Sequence, residues 1–189
     1  MEDKITILGI CGSLRKDSYN MALLKTAQTL TQPNATITIF DRIGELPLYN
    51  QDREADFPKA ALDLKIAIRA ADALLFSTPE YNYSVPGVLK NAIDWASRPY
   101  GDSAWDGKPA AIMGASPGIT GSARAQYHLR QICVYLNIFP LNQPEIIVPN
   151  VTTKFGERGR LIDAYTIEKL RDLVVALTEW TFRLIGKQI

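Results

Sequence analysis

The chain has 189 residues, a length that fits one α/β domain with a sizeable buried core. Its 21 lysines and arginines nearly balance its 20 aspartates and glutamates, so no broad basic field for nucleic acid and no acidic field is expected. No apolar run approaches the roughly 18 residues that a membrane span needs. These features predict a single domain over residues 1–189, with neither nucleic-acid nor membrane partners.

The two cysteines, Cys11 and Cys133, are far apart in sequence and form neither a CxxC pair nor a disulfide framework. Charged residues 2–4 precede a short apolar run that is typical of a strand and not of a signal peptide. We therefore expect a reducing compartment, and the cytoplasm in particular. The single histidine, His128, is expected to be structural, and no metal site is predicted.

Short apolar runs alternate with longer amphipathic stretches, as in parallel strands joined by crossover helices. In chain order, the predicted elements are strand 5–10, helix 18–30, strand 36–40, helix 59–70, strand 73–77, a helix opened by Pro86, strand 110–115, helix 122–136, strand 145–148 and helix 166–185. The alternation predicts a five-stranded, doubly wound parallel α/β sheet with helices on both faces. Its order is either flavodoxin-like, 2-1-3-4-5, or part of a dinucleotide-binding arrangement.

The loop between the first predicted strand and the first helix is rich in polar side chains. Ligands of doubly wound sheets bind beyond the carboxyl ends of the strands, and backbone N–H groups at a helix start favour an anion. The side-chain donors in this loop are Ser13, Arg15, Ser18 and Asn20. So many donors suit a terminal phosphate. Asp17 would repel a phosphate, so we expect it to point outwards or to cap the helix, and Lys16 to face water.

A dinucleotide site is the competing interpretation of the same loop. Its fingerprint requires the glycine spacing G-x-G-x-x-G, whereas Gly9 and Gly12 are the only glycines here. Asp41, at the end of the second strand, could still bind a ribose. The glycine spacing therefore argues against a flavin-free dehydrogenase but leaves that alternative open.

Two further motifs follow the third and fourth predicted strands. The sequence TPEYNYSV at 78–85 precedes PGVLKNAIDW at 86–95, and Ser116, Pro117 and Gly118 form a turn after the fourth strand. Together with the loop at 12–20, these motifs resemble the NADPH-dependent FMN reductases, including the chromate and quinone reductase subgroup. Three motifs at the right strand ends, in the right order, are more specific than any one of them. The resemblance spans most of the chain and favours the flavodoxin-like fold.

This resemblance also implies where an FMN cofactor binds. The phosphate would be held by Ser13, Arg15, Ser18 and Asn20, flanked by Leu14 and Tyr19. The edge of the isoalloxazine ring would be held by Pro79, Glu80, Tyr81, Asn82 and Ser116. A flavin needs an apolar or aromatic wall and donors at its polar edge. Glu80 could contribute only its backbone, and the turn with Ser116 and Gly118 could direct N–H groups at the pyrimidine side.

Three other side chains have two interpretations each. Tyr83 either contacts the ring or packs its loop over the sheet. Arg124 lies either near the mouth of the site or in a subunit contact with Glu145, unless it is simply exposed. Cys11 adjoins the phosphate loop, and a small buried residue that supports the turn is favoured over a redox-sensitive thiol.

The function that the resemblance implies is an NAD(P)H-dependent reductase with FMN. NADPH or NADH would deliver electrons in a ping-pong cycle, and small acceptors would remove them: quinones, and further chromate, azo or nitro compounds or free flavin. The flavin carries the chemistry, so no catalytic side chain is expected. The same resemblance implies a homodimer or a homotetramer. The alternative is a flavodoxin-like electron carrier without NAD(P)H oxidation, which the near-zero net charge disfavours.

Overall fold

A computed structural model of the protein describes residues 4–186, without the side chain of Arg158. The helices and strands, in chain order, are β1 Ile5–Cys11, α1 Tyr19–Thr29, β2 Ala35–Phe40, α2 Lys59–Ala70, β3 Ala73–Ser77, α3 Gly87–Ala96, β4 Pro109–Ala115, α4 Ala123–Tyr135, β5 Phe139–Pro140, β6 Ile146–Val148 and α5 Ala164–Ile185. Four short 3₁₀ turns complete the elements: Ile43–Glu45, Gln51–Arg53, Val151–Thr153 and Glu157–Gly159.

The strands form one parallel sheet of order β2-β1-β3-β4-β5, and β6 also pairs with β4. This order confirms the flavodoxin-like prediction, because β1 lies between β2 and β3, whereas in the dinucleotide-binding order it lies between β2 and β4. The fifth predicted strand, 145–148, is observed as β6, and one additional strand, β5, was not predicted. Residues 139–140 pair with the start of β4 and residues 146–148 with its end, so two short strands share one sheet position.

Side chains of β1 alternate between two buried layers, as the period of a strand requires. Ile5 and Ile7 pack in the layer that includes residues of α1 and α5, while Leu8 and Ile10 pack in the layer that includes α2, α3 and α4. Every residue of β3 and β4 is buried. The apolar runs that predicted the strands are therefore strands covered on both faces.

Helix boundaries follow the local capping chemistry. Ser18 caps α1 by accepting a hydrogen bond from the Met21 N–H, and Asp163 caps α5 through the Thr166 N–H. Pro86 is extended, with ψ of 147°, and precedes α3, so it is the cap of that helix and not part of its first turn. The predicted helices are otherwise confirmed to within about two residues at their ends.

The end of β4 approaches its neighbours so closely that Gly114 tolerates no side chain. A Cβ atom at this position would lie 2.0 Å from Ser122 Oγ and 2.3 Å from the Thr78 carbonyl oxygen. We predict that Gly114→Ala lowers the free energy of unfolding by about 3 kcal/mol, because backbone at the end of β3 must move. Gly118→Ala is the matched control, since its Cβ would meet only Ser116 Oγ, at 3.6 Å, and a change within about 1 kcal/mol is expected. Equal denaturant midpoints for the two variants would contradict this packing argument.

Candidate functional site

The carboxyl ends of β1, β3 and β4 meet at one edge of the sheet and form two adjoining clefts there. The smaller cleft has a volume of about 60 Å³ and is lined by Ser13, Arg15, Ser18, Tyr19, Asn20, Pro79, Glu80, Tyr81, Ala115, Ser116 and Pro117. The larger has about 380 Å³ and is lined by Gly12, Leu14, Arg15, Tyr81, Pro86, Gly87 and Val88. Arg15 and Tyr81 belong to both, so the clefts form one groove at the edge where the fold places ligands.

The loop before α1 presents unused backbone donors to this groove. Among residues 4–186, the N–H groups of the groove residues Ser13, Leu14, Tyr19 and Asn20 donate no hydrogen bond, and neither do those of the adjacent Lys16 and Asp17. The positive end of the α1 dipole adds to their field. Gly12 lets the loop pass under its neighbours, because a Cβ there would lie 2.9 Å from Pro86 Cγ. Unused donors at a helix start are the chemistry of a phosphate site.

Three side chains of the loop can add donors to those N–H groups. Ser13 and Ser18 are buried, and their hydroxyl oxygens accept from the N–H groups of Arg15, at 3.4 Å, and Met21, at 3.3 Å. Each hydroxyl hydrogen remains able to donate to an anion. Arg15 is exposed, its Nη2 lies 3.4 Å from the Asp17 carbonyl oxygen, and none of the described carboxylates pairs with it. Its positive charge is therefore available to a phosphate.

Asn20 lies in the smaller cleft but is largely used for structure. Its Nδ2 donates to the Ala115 carbonyl oxygen at 3.0 Å, and its Oδ1 accepts from the Ala115 N–H and the Ser77 hydroxyl. The buried amide thus fastens α1 to the ends of β3 and β4. Only one Nδ2 hydrogen remains for a ligand, so a direct phosphate contact by Asn20 stays a prediction.

Lys16 and Asp17 follow the expectation drawn from charge. Both are exposed and line a different cleft on the outer side of α1, not the groove at the carboxyl edge. The cap of α1 is Ser18, so the outward orientation of Asp17 is the outcome that the structure confirms.

The segment after β3 turns back sharply on itself. Tyr81 and Ser84 exchange two backbone hydrogen bonds of 3.1 Å, and the central residues Asn82 and Tyr83 have positive φ values of 49° and 71°. Both positive values are typical of a type I′ turn, in which asparagine is favoured. The turn leaves Tyr81 46% and Tyr83 67% exposed. Tyr81 thereby forms a wall of both clefts.

Glu80 holds this turn against the start of α4. Its carboxylate is buried, accepts from the Arg124 N–H at 3.0 Å and the Ala125 N–H at 3.4 Å, and pairs with Arg124 Nη1 at 3.0 Å. The Arg124 guanidinium also lies 3.6 Å from the centre of the Tyr83 ring. The Glu80 carboxylate therefore caps a helix and is not free for a ligand. Only the backbone of Glu80 remains available to contact one. Among the described residues, the ion-pair partner of Arg124 is Glu80 and not Glu145.

The turn after β4 differs from the sequence-based expectation. The Ser116 N–H donates to the Val148 carbonyl oxygen at 3.1 Å, and the Gly118 N–H donates to Ser116 Oγ at 3.1 Å. Both N–H groups are therefore already used within the protein, by β6 and by the turn itself. Ser116 still lines the smaller cleft, whereas Gly118 and Asn82 line neither cleft. Their contacts to a cofactor remain predictions.

Several groove residues were not predicted from the sequence. They are Gly12, Pro86, Gly87, Val88, Ala115 and Pro117. All are glycine, proline or small apolar residues, so they carry no chemical signal of their own. Their position at strand ends was the only available clue.

His128 and the two cysteines have structural surroundings. His128 Nδ1 lies 2.9 Å from the Ser84 hydroxyl and so adds a second link between the turn and α4. Cys11 is buried, with its thiol 3.7 Å from the Ser13 carbonyl oxygen, and burial raises its pKa. Burial also raises the pKa of Cys133 to about 12. These surroundings agree with the interpretation of Cys11 as a small buried residue that supports the loop.

Buried thiols with raised pKa values form little thiolate, so both cysteines should be inert in the folded protein. We predict that neither reacts with Ellman's reagent at mildly alkaline pH, and that both react after unfolding in concentrated guanidinium. Cys11→Ser separates the two thiols. Rapid labelling of one thiol in the native wild-type chain, lost in Cys11→Ser, would contradict the burial of Cys11.

Two features of other protein classes are absent from residues 4–186. No helix there is both long and apolar enough to cross a membrane. No group of three or more His, Cys, Asp or Glu side chains there is arranged to hold a metal ion.

The fold and the groove together define a class of protein: a flavodoxin-like domain with unused backbone donors in the loop after β1. Residues 5–153 match the family model of the NADPH-dependent FMN reductases, and the chain belongs to that family. It is 52% identical over 187 residues to an NAD(P)H-dependent FMN reductase of Pseudomonas aeruginosa, covering 98% of this chain and 100% of that protein. It is 44% identical over 176 residues to a 2-hydroxy-1,4-benzoquinone reductase of a Burkholderia species, covering 93% and 96%.

A solved structure extends the similarity to three dimensions. It is the flavoenzyme FerB, an NAD(P)H:(acceptor) oxidoreductase from Paracoccus denitrificans, with a TM-score of 0.87 and 41% sequence identity. The match covers 95% of this chain and 98% of FerB. The predictions of family, fold class, an oxidoreductase and an FMN and NAD(P)H dependence are confirmed.

Proposed function

We propose that the protein is an FMN-containing NAD(P)H:acceptor reductase that acts on quinones. The observation that carries the proposal is the row of unused backbone donors before α1, which ends at a groove large enough for planar ligands. The quinone reductases among its relatives support the choice of acceptor. Chromate, azo and nitro compounds and free flavin remain further candidates.

The residues of the groove fit the two ends of FMN. A terminal phosphate dianion suits the unused N–H groups of Ser13, Leu14, Tyr19 and Asn20, the hydroxyls of Ser13 and Ser18, and the free charge of Arg15. The larger cleft offers an apolar wall for the rings, formed by Leu14, Tyr81, Pro86 and Val88. A ring edge would find the N–H group of Glu80, which lines the smaller cleft and bonds no described acceptor.

When bound, FMN supplies hydride acceptance from NAD(P)H and electron delivery to the second substrate. The chain itself binds and orients. Among the described residues, Glu80 is the one carboxylate that lines either cleft, and it is engaged by Arg124 and the start of α4. Leu14 and Tyr81 are well exposed at the larger cleft, so a planar donor or acceptor has access from solvent.

Steady-state kinetics test the order of the two substrates. NADPH and benzoquinone would be varied against each other with the FMN-loaded protein. The ping-pong proposal predicts parallel double-reciprocal lines, because the donor leaves before the acceptor enters the same groove. Intersecting lines would contradict it, and no NADPH oxidation would favour an electron carrier.

The proposal includes self-association and location. The outer side of α4 exposes Tyr127, Val134 and Tyr135 at fractions of 54%, 82% and 79%, which is a surface suited to a second copy. A homodimer or homotetramer is therefore proposed, and sedimentation as a monomer at micromolar concentration would exclude it. The two free cysteines suit a reducing compartment, and the cytoplasm is proposed.

A further inference from the structure

A second cleft lies on the outer side of α1, next to the proposed cofactor groove. It has a volume of about 620 Å³, larger than either cleft at the carboxyl edge. One wall is α1 and the residues just before it, and the other is the segment 159–161 with Ile167 of α5. Ser18 is the one residue it shares with the smaller cleft of the groove. The cleft is therefore not part of the function proposed above.

The floor and the rim of this cleft differ in polarity. Its apolar lining residues are Met21, Ala22, Leu30, Leu161 and Ile167. Three cationic side chains, Lys16, Lys25 and Arg160, also line it, together with one carboxylate, Asp17. All four of these charged residues are exposed. The cleft thus combines an apolar surface with an excess of positive charge.

The three cations are not neutralised within the part of the chain that the structure describes. Every ion pair found among residues 4–186 involves other lysines and arginines. Asp17 lies next to Lys16 in sequence but forms no ion pair with it. Charges without a protein partner beside an apolar floor are complementary to a ligand that carries both an anionic head and an apolar chain.

The cleft is also elongated. Its lining residues extend along the whole of α1, from Lys16 before the helix to Leu30 after it. Eleven helical residues correspond to a length of about 16 Å at 1.5 Å per residue. We propose that this cleft binds an amphipathic anion with an extended alkyl chain, that is, a free long-chain carboxylate. The chain lies along α1, and the carboxylate is held by the cationic rim.

Dodecanoate is the probe that tests this site, by isothermal titration calorimetry on protein saturated with FMN. The expected result is saturable binding of one dodecanoate per chain. The cationic probe dodecyltrimethylammonium, which has an alkyl chain of similar length, should not bind. A double variant, Lys25→Gln with Arg160→Gln, should weaken dodecanoate binding about tenfold, because two charge-assisted contacts are lost. Ala22→Trp should abolish binding by filling the floor.

Lys4→Gln is the matched control, since Lys4 is an exposed lysine outside the cleft. It should leave the affinity unchanged. Absence of dodecanoate binding, equal binding of the two probes, or an unchanged affinity of the double variant would overturn the proposal. So would binding of phosphatidylglycerol vesicles by a protein that does not bind free dodecanoate. A repeat without FMN should give the same affinity, so this test does not depend on whether the cofactor proposal holds.

Discussion

Arg15→Ala is expected to weaken FMN binding about 30-fold, which corresponds to about 2 kcal/mol. Arg15 lines both clefts of the groove, and its guanidinium pairs with none of the described carboxylates. Its charge is therefore available to a phosphate dianion, and its loss removes a charge-assisted hydrogen bond without disturbing an internal ion pair. Quenching of FMN fluorescence on binding measures the change in Kd.

The adjacent residue provides the control for this substitution. Lys16→Ala removes the same charge from the same loop, but Lys16 lines the cleft on the outer side of α1. Its effect on FMN affinity should stay within about threefold, as expected for a solvated charge. Equal losses in both variants would mean a general electrostatic effect, and an unchanged affinity of Arg15→Ala would place Arg15 outside the phosphate site.

Glu80→Ala is expected to lower the free energy of unfolding by about 3 kcal/mol and the Tm by roughly 6–12 °C. The substitution leaves the half-buried Arg124 without its carboxylate and the start of α4 without its cap. It also releases the turn at 81–84 from one of its links to α4. FMN affinity should therefore fall as well, although no contact from the carboxylate to the cofactor is proposed. Thermal unfolding with and without FMN measures both effects.

Two further variants separate the cap from the charge. Glu80→Gln retains an acceptor oxygen for the Arg124 and Ala125 N–H groups, so about half of the loss is expected. Glu179→Ala removes an exposed carboxylate from α5, and a change within about 0.5 kcal/mol is expected. A Tm of Glu80→Ala equal to that of Glu179→Ala would show that the Glu80–Arg124 pair contributes nothing.

The fold could be predicted because the signals were local and repeated. Buried parallel strands are nearly continuous apolar runs, and helices show their periodicity and caps, so the five predicted strands and five predicted helices lie close to observed elements. The additional strand β5 could not be predicted. Phe139 and Pro140 form a strand of two residues whose pairing depends on the edge of β4, and no two-residue run has a pattern of its own. The single domain over residues 1–189 stays a prediction.

The candidate site was predictable in outline and less so in detail. Its three loops lie together because parallel strands bring their carboxyl ends to one edge. The individual hydrogen-bond partners depend on distant residues. Asn20 bonds Ala115, Ser116 bonds Val148 and Glu80 bonds Arg124, each pair separated by more than 30 positions. A sequence gives the polar side chains at a site, but tertiary contacts decide which of them are still free for a ligand.

The central claim, that the groove holds FMN and supports NAD(P)H-dependent reduction of quinones, has a direct spectroscopic test. The absorbance spectrum of the purified protein with FMN would be recorded anaerobically after NADPH or NADH is added, and again after benzoquinone. We expect the flavin bands to bleach with the donor and to recover with the quinone. A bound flavin that neither donor bleaches would contradict the reductase, and failure to bind FMN would contradict the assignment of the groove itself.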